Sequence, residues 1–326
     1  MKKTNSTNGR RRLHLQDAVY STELGVCIQG DSEGIISKQL LPTLRGKVDL
    51  IFTSPPFPLN TKKKYGNLQG QEYSKWLAKF GTLFSDLLSP TGSIVIELGN
   101  AWEPKRPVMS TLALRSLLLF LDTANLTLCQ EFVWYNPARL PSPAQWVTIE
   151  RIRVKDAYTH VWWLAKTDRP YADNRQILTE YSKSMKSLLS RKKYNDGKRP
   201  SEHSISPTSF LKDNEGAIPS NVISAANTQS SSPYLDYCRE NNLQPHPARM
   251  PEALADFFIR FLTKPKMLVL DPFAGSNTTG ATAERRDRRW ISIEAREDYV
   301  ESSCGRFENG VTVVAPNKSF ILDCEL

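Results

Sequence analysis

Short apolar runs alternate with amphipathic runs along most of this chain, and this alternation limits its possible folds more than any other feature. The runs 48–53 and 93–98 have strand length, whereas 73–88 carries apolar residues at helical spacing. Strands that alternate with helices in this way form a mainly parallel sheet covered by helices on both faces. The sequence therefore predicts an α/β fold.

A polar stretch rich in Ser, Asn and Lys interrupts the alternation from residue 167 to about residue 245. Strand-like and helix-like runs then resume and continue to 289–294. We therefore expect one α/β core, made of two halves, around an insertion. The expected units are a basic flexible arm at 1–20, core halves at 21–166 and 246–312, the insertion at 167–245, and a C-terminal tail at 313–326.

Composition narrows the class of protein. The formal net charge is +9, which favours an anionic partner such as nucleic acid. The five cysteines are scattered and form no Cys-x-x-Cys pair, so the sequence predicts neither a disulfide framework nor a metal site, and a reducing cytoplasm fits. The most apolar stretch, 112–121, is much shorter than the ~20 residues that cross a bilayer. We expect no membrane association.

A glycine-containing loop follows the strand-like run 267–271 and precedes an Ala-rich helical run. Nucleotide-like ligands bind at such loops, beyond the carboxyl end of a sheet strand. We predict that the ligand contacts Asp271, Phe273, Ala274, Gly275, Ser276, Asn277 and Thr278.

The residues of this loop discriminate between ligands. It has Gly275 and Gly280 but not the three glycines of a dinucleotide fingerprint, so NAD is disfavoured. Ala281 stands where a phosphate-binding loop needs Lys, so ATP is disfavoured as well.

Glu294 ends the next strand-like run, where a carboxylate can accept hydrogen bonds from two ribose hydroxyls. A ribose-bearing ligand without a required phosphate remains. S-adenosylmethionine is such a ligand, and Asp271 is placed to hold its cationic amino-acid end. The alternative is that Asp271 and Glu294 only cap loops and helices.

The most diagnostic residues follow the strand-like run 48–53 and are Ser54, Pro55, Pro56 and Phe57. A Ser-Pro-Pro-Phe turn, with an Asp-Pro-Phe-Ala-Gly-Ser loop far downstream, resembles the amino-methyltransferases of DNA, whose turn reads [Ser/Asp/Asn]-Pro-Pro-[Tyr/Phe]. The motif order resembles the β subgroup, and the likeness is greatest to the PvuII-type cytosine-N4 enzymes of restriction-modification systems. The likeness covers nearly the whole chain.

This resemblance implies a Rossmann-like fold that depends on S-adenosylmethionine and releases S-adenosylhomocysteine. It implies that 21–166 is the catalytic half, that 246–312 is the cofactor-binding half, and that 167–245 is a target-recognition region. Asp31 matches the family position near the adenine of the cofactor, although an Asp that caps the next helix is the alternative.

The chemistry of amino methylation explains the turn independently. An exocyclic amino group is a poor nucleophile because its lone pair is delocalised into the base. Ser54 and a carbonyl of the rigid proline pair can accept both N–H bonds and aim the lone pair at the methyl donor, while Phe57 stacks on the base. Glu97 is predicted to orient Ser54 or to take up a proton; the alternative is a solvated acid at a strand end.

The insertion carries a run of basic residues. Basic side chains neutralise phosphates, whereas polar side chains at base edges provide specificity. We predict DNA contacts from Lys183, Lys186, Arg191, Lys192, Lys193, Lys198, Arg199, His203 and Asn214. A charge run is often only a solvated face, so each contact is a separate hypothesis.

Together these features predict a site-specific DNA methyltransferase that modifies N4 of a flipped-out cytosine in duplex DNA. We expect a monomer in the cytoplasm of a bacterium or archaeon, paired with a restriction endonuclease. Adenine N6 is the nearest alternative, because the same architecture serves both reactions. A non-catalytic DNA-binding module is another, as is a protein or RNA methyltransferase, whose turn more often reads Asn-Pro-Pro-Tyr.

Overall fold

The computed structural model describes residues 11–57, 70–192, 197–198, 204–205, 211–227, 232–315 and 320–324. The strands of this part of the chain are β1 (Arg11–Leu15), β2 (Ala18–Ser21), β3 (Gly25–Gln29), β4 (Val48–Thr53), β5 (Leu88–Leu98), β6 (Thr127–Tyr135), β7 (Tyr158–Ala165), β8 (Gly197–Lys198), β9 (Ser204–Ile205), β10 (Val222–Ser224), β11 (Leu268–Asp271), β12 (Arg289–Glu294), β13 (Thr312–Val313) and β14 (Phe320–Cys324). The α-helices are α1 (Ser32–Ile35), α2 (Leu41–Leu44), α3 (Gly70–Leu87), α4 (Leu112–Ala124), α5 (Lys183–Arg191), α6 (Pro233–Glu240), α7 (Glu252–Leu262), α8 (Thr278–Arg285) and α9 (Glu297–Ser303).

Ten of these strands form one sheet in the order β10-β6-β7-β5-β4-β11-β12-β3-β2-β13. The centre, from β5 through β4, β11 and β12 to β3, is parallel, as predicted. The sheet as a whole is mixed, because β7 is antiparallel to both its neighbours and β2 is antiparallel to β3 and β13. The predicted α/β fold is confirmed.

Helices cover both faces of the sheet, and the strand period of two explains how. Along β11, Leu268 and Leu270 join one buried apolar cluster together with side chains of α3 and α4, such as Phe80. Val269 points the other way and joins a second cluster with side chains of α7 and α8, such as Phe258. Among the described helices, none is both long enough and apolar enough to cross a membrane.

The flexible arm expected at 1–20 is wrong for residues 11–20. β1 pairs antiparallel with β14, and β2 pairs antiparallel with β3. Residues 11–15 and 320–324 are far apart in sequence, but their backbone N–H and C=O groups pair in one β-ladder. Likewise β13 pairs with β2 across the expected boundary between 312 and 313. Residues 1–10 lie outside the described part of the chain.

Residues 90–92, Pro-Thr-Gly, have a composition typical of a turn but are part of β5. The strand already starts at Leu88, which pairs with Val48, and the register then shifts. A Cβ on Gly92 would lie 2.8 Å from the carbonyl oxygen of Val48. Only glycine lets the backbones pass so closely, and that glycine produced the turn signal.

The insertion was expected to lie outside the core. Instead it adds an edge strand to the sheet. β10 lies within it and runs parallel to β6. Trp134 Nε1 in β6 donates to the Ala225 carbonyl over 2.9 Å. β10 has only three residues and is largely exposed. It therefore leaves neither an apolar run nor a periodic pattern in the sequence.

The expected boundary at 245 falls too late in the chain. Tyr234 and Cys238 of α6 are almost completely buried, and the Tyr234 hydroxyl lies 3.2 Å from Ser302 Oγ in α9. α6 therefore packs with the last part of the core rather than with the insertion.

Candidate active site

Both diagnostic motifs lie at one edge of the sheet. β4 and β11 are neighbouring parallel strands, so the segments that follow them meet at their carboxyl ends. Thr53, the last residue of β4, donates from Oγ1 to Asp271 Oδ1 over 2.8 Å. The turn at Ser54 and the glycine loop therefore begin from two strand ends that are hydrogen-bonded to each other.

Ser54 is joined to Glu97, which lies near the end of the neighbouring strand β5. Ser54 Oγ donates a hydrogen bond to Glu97 Oε2. Glu97 is 2% exposed, and burial raises its pKa to about 7, against smaller lowering effects of the Ser54 bond and the Arg139 charge. The interpretation of Glu97 as a solvated acid is therefore wrong.

Two buried polar atoms near this pair have no hydrogen-bond partner among the described residues: Glu97 Oε1 and the Tyr73 hydroxyl. Burial, followed by the charge of Glu97, raises the pKa of Tyr73. An unpaired buried polar atom costs about 1–3 kcal/mol, so these two atoms are candidates for contact with a ligand. The sequence does not indicate a role for Tyr73, because an aromatic residue on the apolar face of a helix is expected to be part of the core.

The proline pair and Phe57 form a packed turn. Pro55 is buried, while Pro56 and Phe57 are half-buried. A Cβ on Gly99 would lie 2.6 Å from the Phe57 ring, so the ring rests on the backbone that follows β5. The turn is therefore held against the segment that carries Glu97.

Asp271 is a buried junction between three elements. Its Oδ1 accepts from Thr53 and from the Phe273 backbone N–H (3.1 Å), and its Oδ2 accepts from Thr279 Oγ1 (2.6 Å). Burial raises its pKa to about 6, although these hydrogen bonds act in the opposite direction. The carboxylate ties β4, the glycine loop and α8 together; its predicted contact with a ligand stays a prediction.

The glycine loop packs through Phe273, whose ring lies 5.1 Å from the ring of Phe80 in α3. Ala274 is buried beside it. Gly275 has a φ of +52°, and a Cβ there would lie 3.2 Å from His246 Nε2. Both the left-handed backbone and the close imidazole favour glycine at this position.

The next three loop residues are buried and bonded within the protein. Asn277 caps α8 by accepting from Gly280 N–H, and it also binds Ser292 Oγ (2.6 Å) and the Tyr20 hydroxyl (2.8 Å). Ser276 Oγ accepts from Arg306 (2.9 Å), and Thr278 is buried at the start of α8. The Asn277 side chain is fully buried, and its contact with a ligand stays a prediction.

Glu294 and Asp31 lie at the same edge. Glu294 Oε2 accepts from Gly275 N–H over 2.8 Å, and Oε1 accepts from Arg296 N–H. Burial raises the pKa of Glu294. Asp31 is exposed, caps α1 through Gly34 N–H, and lines an open groove. Both carboxylates therefore have capping roles, and both face the edge where a ligand is predicted.

His246 and His160 are bonded within the protein. His246 Nδ1 lies 2.7 Å from the Ala248 carbonyl oxygen, and burial lowers its pKa to about 4. His160 Nδ1 lies 2.9 Å from Glu131 Oε1.

Within the described ranges, no group of three or more His, Cys, Asp or Glu could hold a metal ion.

The predicted DNA contacts are only partly described. Exposed side chains on or next to α5 are those of Lys183, Lys186, Arg191 and Lys192. Asn214 is also exposed, and its backbone N–H donates to the Tyr181 hydroxyl just before α5 (2.8 Å). Lys198 lies in β8, whereas Lys193, Arg199 and His203 lie outside the described residues.

The chain is similar to known proteins. Residues 48–304 match the profile of a family described as DNA methylase. The Type II methyltransferase M.PvuII of Proteus hauseri is 43% identical over 291 residues, which are 88% of this chain and 85% of that protein. The Type II methyltransferase M.BglII of Bacillus subtilis is 23% identical over 88% of this chain and 70% of its own length.

A solved structure titled PvuII DNA methyltransferase (cytosine-N4-specific) superposes with a TM-score of 0.71 and 36% identity over 90% of both chains. The structure of TTHA0409 from Thermus thermophilus, complexed with S-adenosyl-L-methionine, reaches 0.53 at 17% identity and covers 90% of this chain and 95% of that one, a likeness that shows the fold alone. The profile match spans both motifs and the strands that join them. This chain therefore belongs to the DNA methylase family.

Proposed function

We propose that this DNA methylase transfers a methyl group from S-adenosylmethionine to the exocyclic N4 of a flipped-out cytosine in a short duplex sequence. The observation that carries the proposal is the hydrogen bond from Ser54 to the buried Glu97, at a strand end bonded to the glycine loop. In the family that this chain resembles, a turn that begins with serine is commonest among cytosine-N4 enzymes. This serine and the 36% identity to a cytosine-N4-specific enzyme support cytosine over adenine.

The residues at the sheet edge fit S-adenosylmethionine. The absence of a side chain at Gly275 keeps open the space before His246, and Glu294 and Asp31 provide carboxylates that can accept from ribose and adenine groups. Phe273 and Ala274 add apolar surface, and Asp271 holds the loop in place. When bound, the cofactor supplies a methyl group on a cationic sulfonium.

Ser54 would act on the target amino group. Because its own proton is donated to Glu97, its oxygen lone pairs are free to accept from one N–H of the base, and a carbonyl of the proline pair would accept the other. This localises the nitrogen lone pair. When the nitrogen sheds a proton, that proton passes to Ser54 Oγ while the serine proton moves to Glu97. A carboxylate with a pKa of about 7 is suited to receive it.

The surroundings would hold the base and the duplex. Phe57, fixed on Gly99, would stack on the extruded base. The cations at α5 would neutralise phosphates, and Asn214 would reach a base edge. Residues 167–232 would form the target-recognition region, since α6 packs with the core. Lys193, Lys198, Arg199 and His203 keep their proposed roles in this region.

The biological setting follows from the same proposal. The enzyme would act without a metal, as a monomer in the bacterial cytoplasm, and release S-adenosylhomocysteine. Its modification would protect DNA from a restriction endonuclease of the same specificity.

Mass spectrometry of nucleosides from a plasmid treated with the enzyme tests the proposal. We expect N4-methylcytosine with the wild type and a large loss of product with Ser54→Ala. Ser54→Ala should retain cofactor binding in calorimetry, and Thr123→Ala, an exposed change on α4, should behave as the wild type. N6-methyladenine as the sole product would overturn the cytosine assignment, and unmodified DNA would overturn the activity.

A further inference from the structure

The long loop 136–157 joins the adjacent antiparallel strands β6 and β7 and is called the crossover here. It presents exposed apolar side chains that the mechanism above does not use. Leu140 is 79% exposed, Ile149 68% and Val154 86%. Single exposed apolar residues are ordinary on a protein surface. Several on one loop instead indicate a surface that binds a partner.

This crossover lies at the same edge of the sheet as the catalytic turn. β7 is antiparallel to both β5 and β6, so the crossover leaves the sheet at the edge where β5 ends. Asn100, which follows β5, donates from Nδ2 to Asp156 Oδ1 over 2.9 Å and to the Tyr158 carbonyl over 3.2 Å. The charge of Arg139, also in the crossover, lowers the pKa of Glu97. The loop is therefore next to the catalytic pair.

The crossover has a defined conformation of its own. The carbonyl of Trp146 accepts from the backbone N–H groups of Ile152 (2.9 Å) and Arg153 (3.1 Å), and Asp156 N–H donates to the Ser142 carbonyl (3.0 Å). Arg153 Nε also donates to the carbonyl of Pro107 over 3.1 Å. The apolar side chains are thus presented to solvent on an ordered loop, which lowers the entropy cost of binding.

The charges of the crossover select the partner. Arg151, Arg153 and Lys155 are exposed and alternate with the apolar Ile152 and Val154. Cations interleaved with apolar side chains fit a polyanion that also exposes apolar surface, as a duplex does at an opened base step. A second copy of this chain, whose net charge is +9, would bring like charges together.

We propose that the crossover 136–157 binds the target duplex and that Leu140, Ile149 and Val154 fill the space that the flipped nucleotide leaves in the base stack. This inference rests on the proposed function, since only an extruded base leaves that space. Its cations contact the phosphates on either side of the gap. The apolar side chains stabilise the opened duplex and so lower the cost of flipping.

The test uses the full chain with Leu140, Ile149 and Val154 all changed to Ala, and two duplexes. One duplex carries the target sequence found by mapping modified bases; in the other that sequence is scrambled, so that no nucleotide is flipped. We expect binding of the target duplex to weaken about tenfold and binding of the scrambled duplex to stay within about twofold of the wild type, because only a flipped nucleotide leaves a space to fill. The matched control is Leu118→Ala with Val313→Ala, whose side chains are 60% and 73% exposed elsewhere.

Each other result overturns the inference. Unchanged binding of both duplexes removes the crossover from the DNA surface, and an equal loss on both removes the stack-filling role. A changed sedimentation coefficient of the free triple variant assigns the apolar side chains to a second copy of the chain. Failure of the wild type to methylate the target duplex would instead contradict the proposed function, so the two can be distinguished.

Discussion

Two buried carboxylates at neighbouring strand ends, Asp271 and Glu97, differ in how their oxygens are used. Both oxygens of Asp271 accept hydrogen bonds, three in all, whereas Glu97 has a partner only on Oε2 among the described residues. Burial raises the pKa of Asp271 to about 6 and that of Glu97 to about 7. Burial alone therefore does not assign a catalytic role. The donors distinguish the two acids: Glu97 accepts from Ser54, whose proton it can take up, whereas Asp271 accepts from three groups that it holds in place.

The largest effect is expected from Glu97→Gln. The amide cannot take up the proton from Ser54, so single-turnover methyl transfer should fall roughly a thousandfold, within the range for loss of a general base. Thermal unfolding should show equal or higher stability, because a neutral side chain is buried more easily than a charged one. Glu72→Gln, an exposed change on α3, is the control. A rate within threefold of wild type would contradict the role of Glu97.

Asp271→Ala should act on stability rather than on chemistry alone. It leaves the hydroxyls of Thr53 and Thr279 and the Phe273 N–H without their acceptor, so we expect a loss of about 3 kcal/mol in the free energy of unfolding. Urea unfolding measures this, with the exposed Asp122→Ala as the control. If stability were unchanged, the contrast between the two carboxylates would fail.

The pH dependence of stability sharpens the same contrast. A raised folded-state pKa means that the folded protein holds a proton that the unfolded chain has lost. The free energy of unfolding should therefore fall as the pH rises from 3.8 to about 6 because of Asp271, and from 4.5 to about 7 because of Glu97. Relative to the wild type, Glu97→Gln should gain stability across the second window only. A constant difference between the two proteins from pH 4 to 8 would show that the pKa of Glu97 is not raised.

The smallest effect is expected from Tyr73→Phe. The hydroxyl is buried and has no partner among the described residues, so its removal should raise the free energy of unfolding by about 1 kcal/mol, the low end of the cost of such a group. A loss of more than about 1 kcal/mol in urea unfolding would mean that the hydroxyl is bonded within the folded protein.

Local signals explain why much of the site could be predicted. The run before Ser54 and the run before Asp271 are both apolar and both end at a proline turn. Because parallel strands present their carboxyl ends at one edge, predicting the two strands was enough to place the motifs together. The resemblance to a known family added the cofactor and the reaction.

Contacts between distant residues could not be predicted. Nothing local to Asp271 indicates that Thr53 donates to it, and nothing in a polar insertion indicates that β10 joins β6. The role of Asn277 in binding Tyr20 is equally non-local. These contacts depend on how the helices and strands pack. Sequence periodicity identifies the helices and strands, but it does not show which polar side chains lack a hydrogen-bond partner in the folded protein.

The most direct test is a crystal structure of the enzyme with S-adenosylhomocysteine and a duplex that contains the mapped target. We expect the amino nitrogen of the extruded base about 3.0 Å from Ser54 Oγ, with Glu97 still bonded to the serine and the cofactor product beside Gly275. A target base that stays stacked, or an amino group bound away from Ser54, would contradict the account.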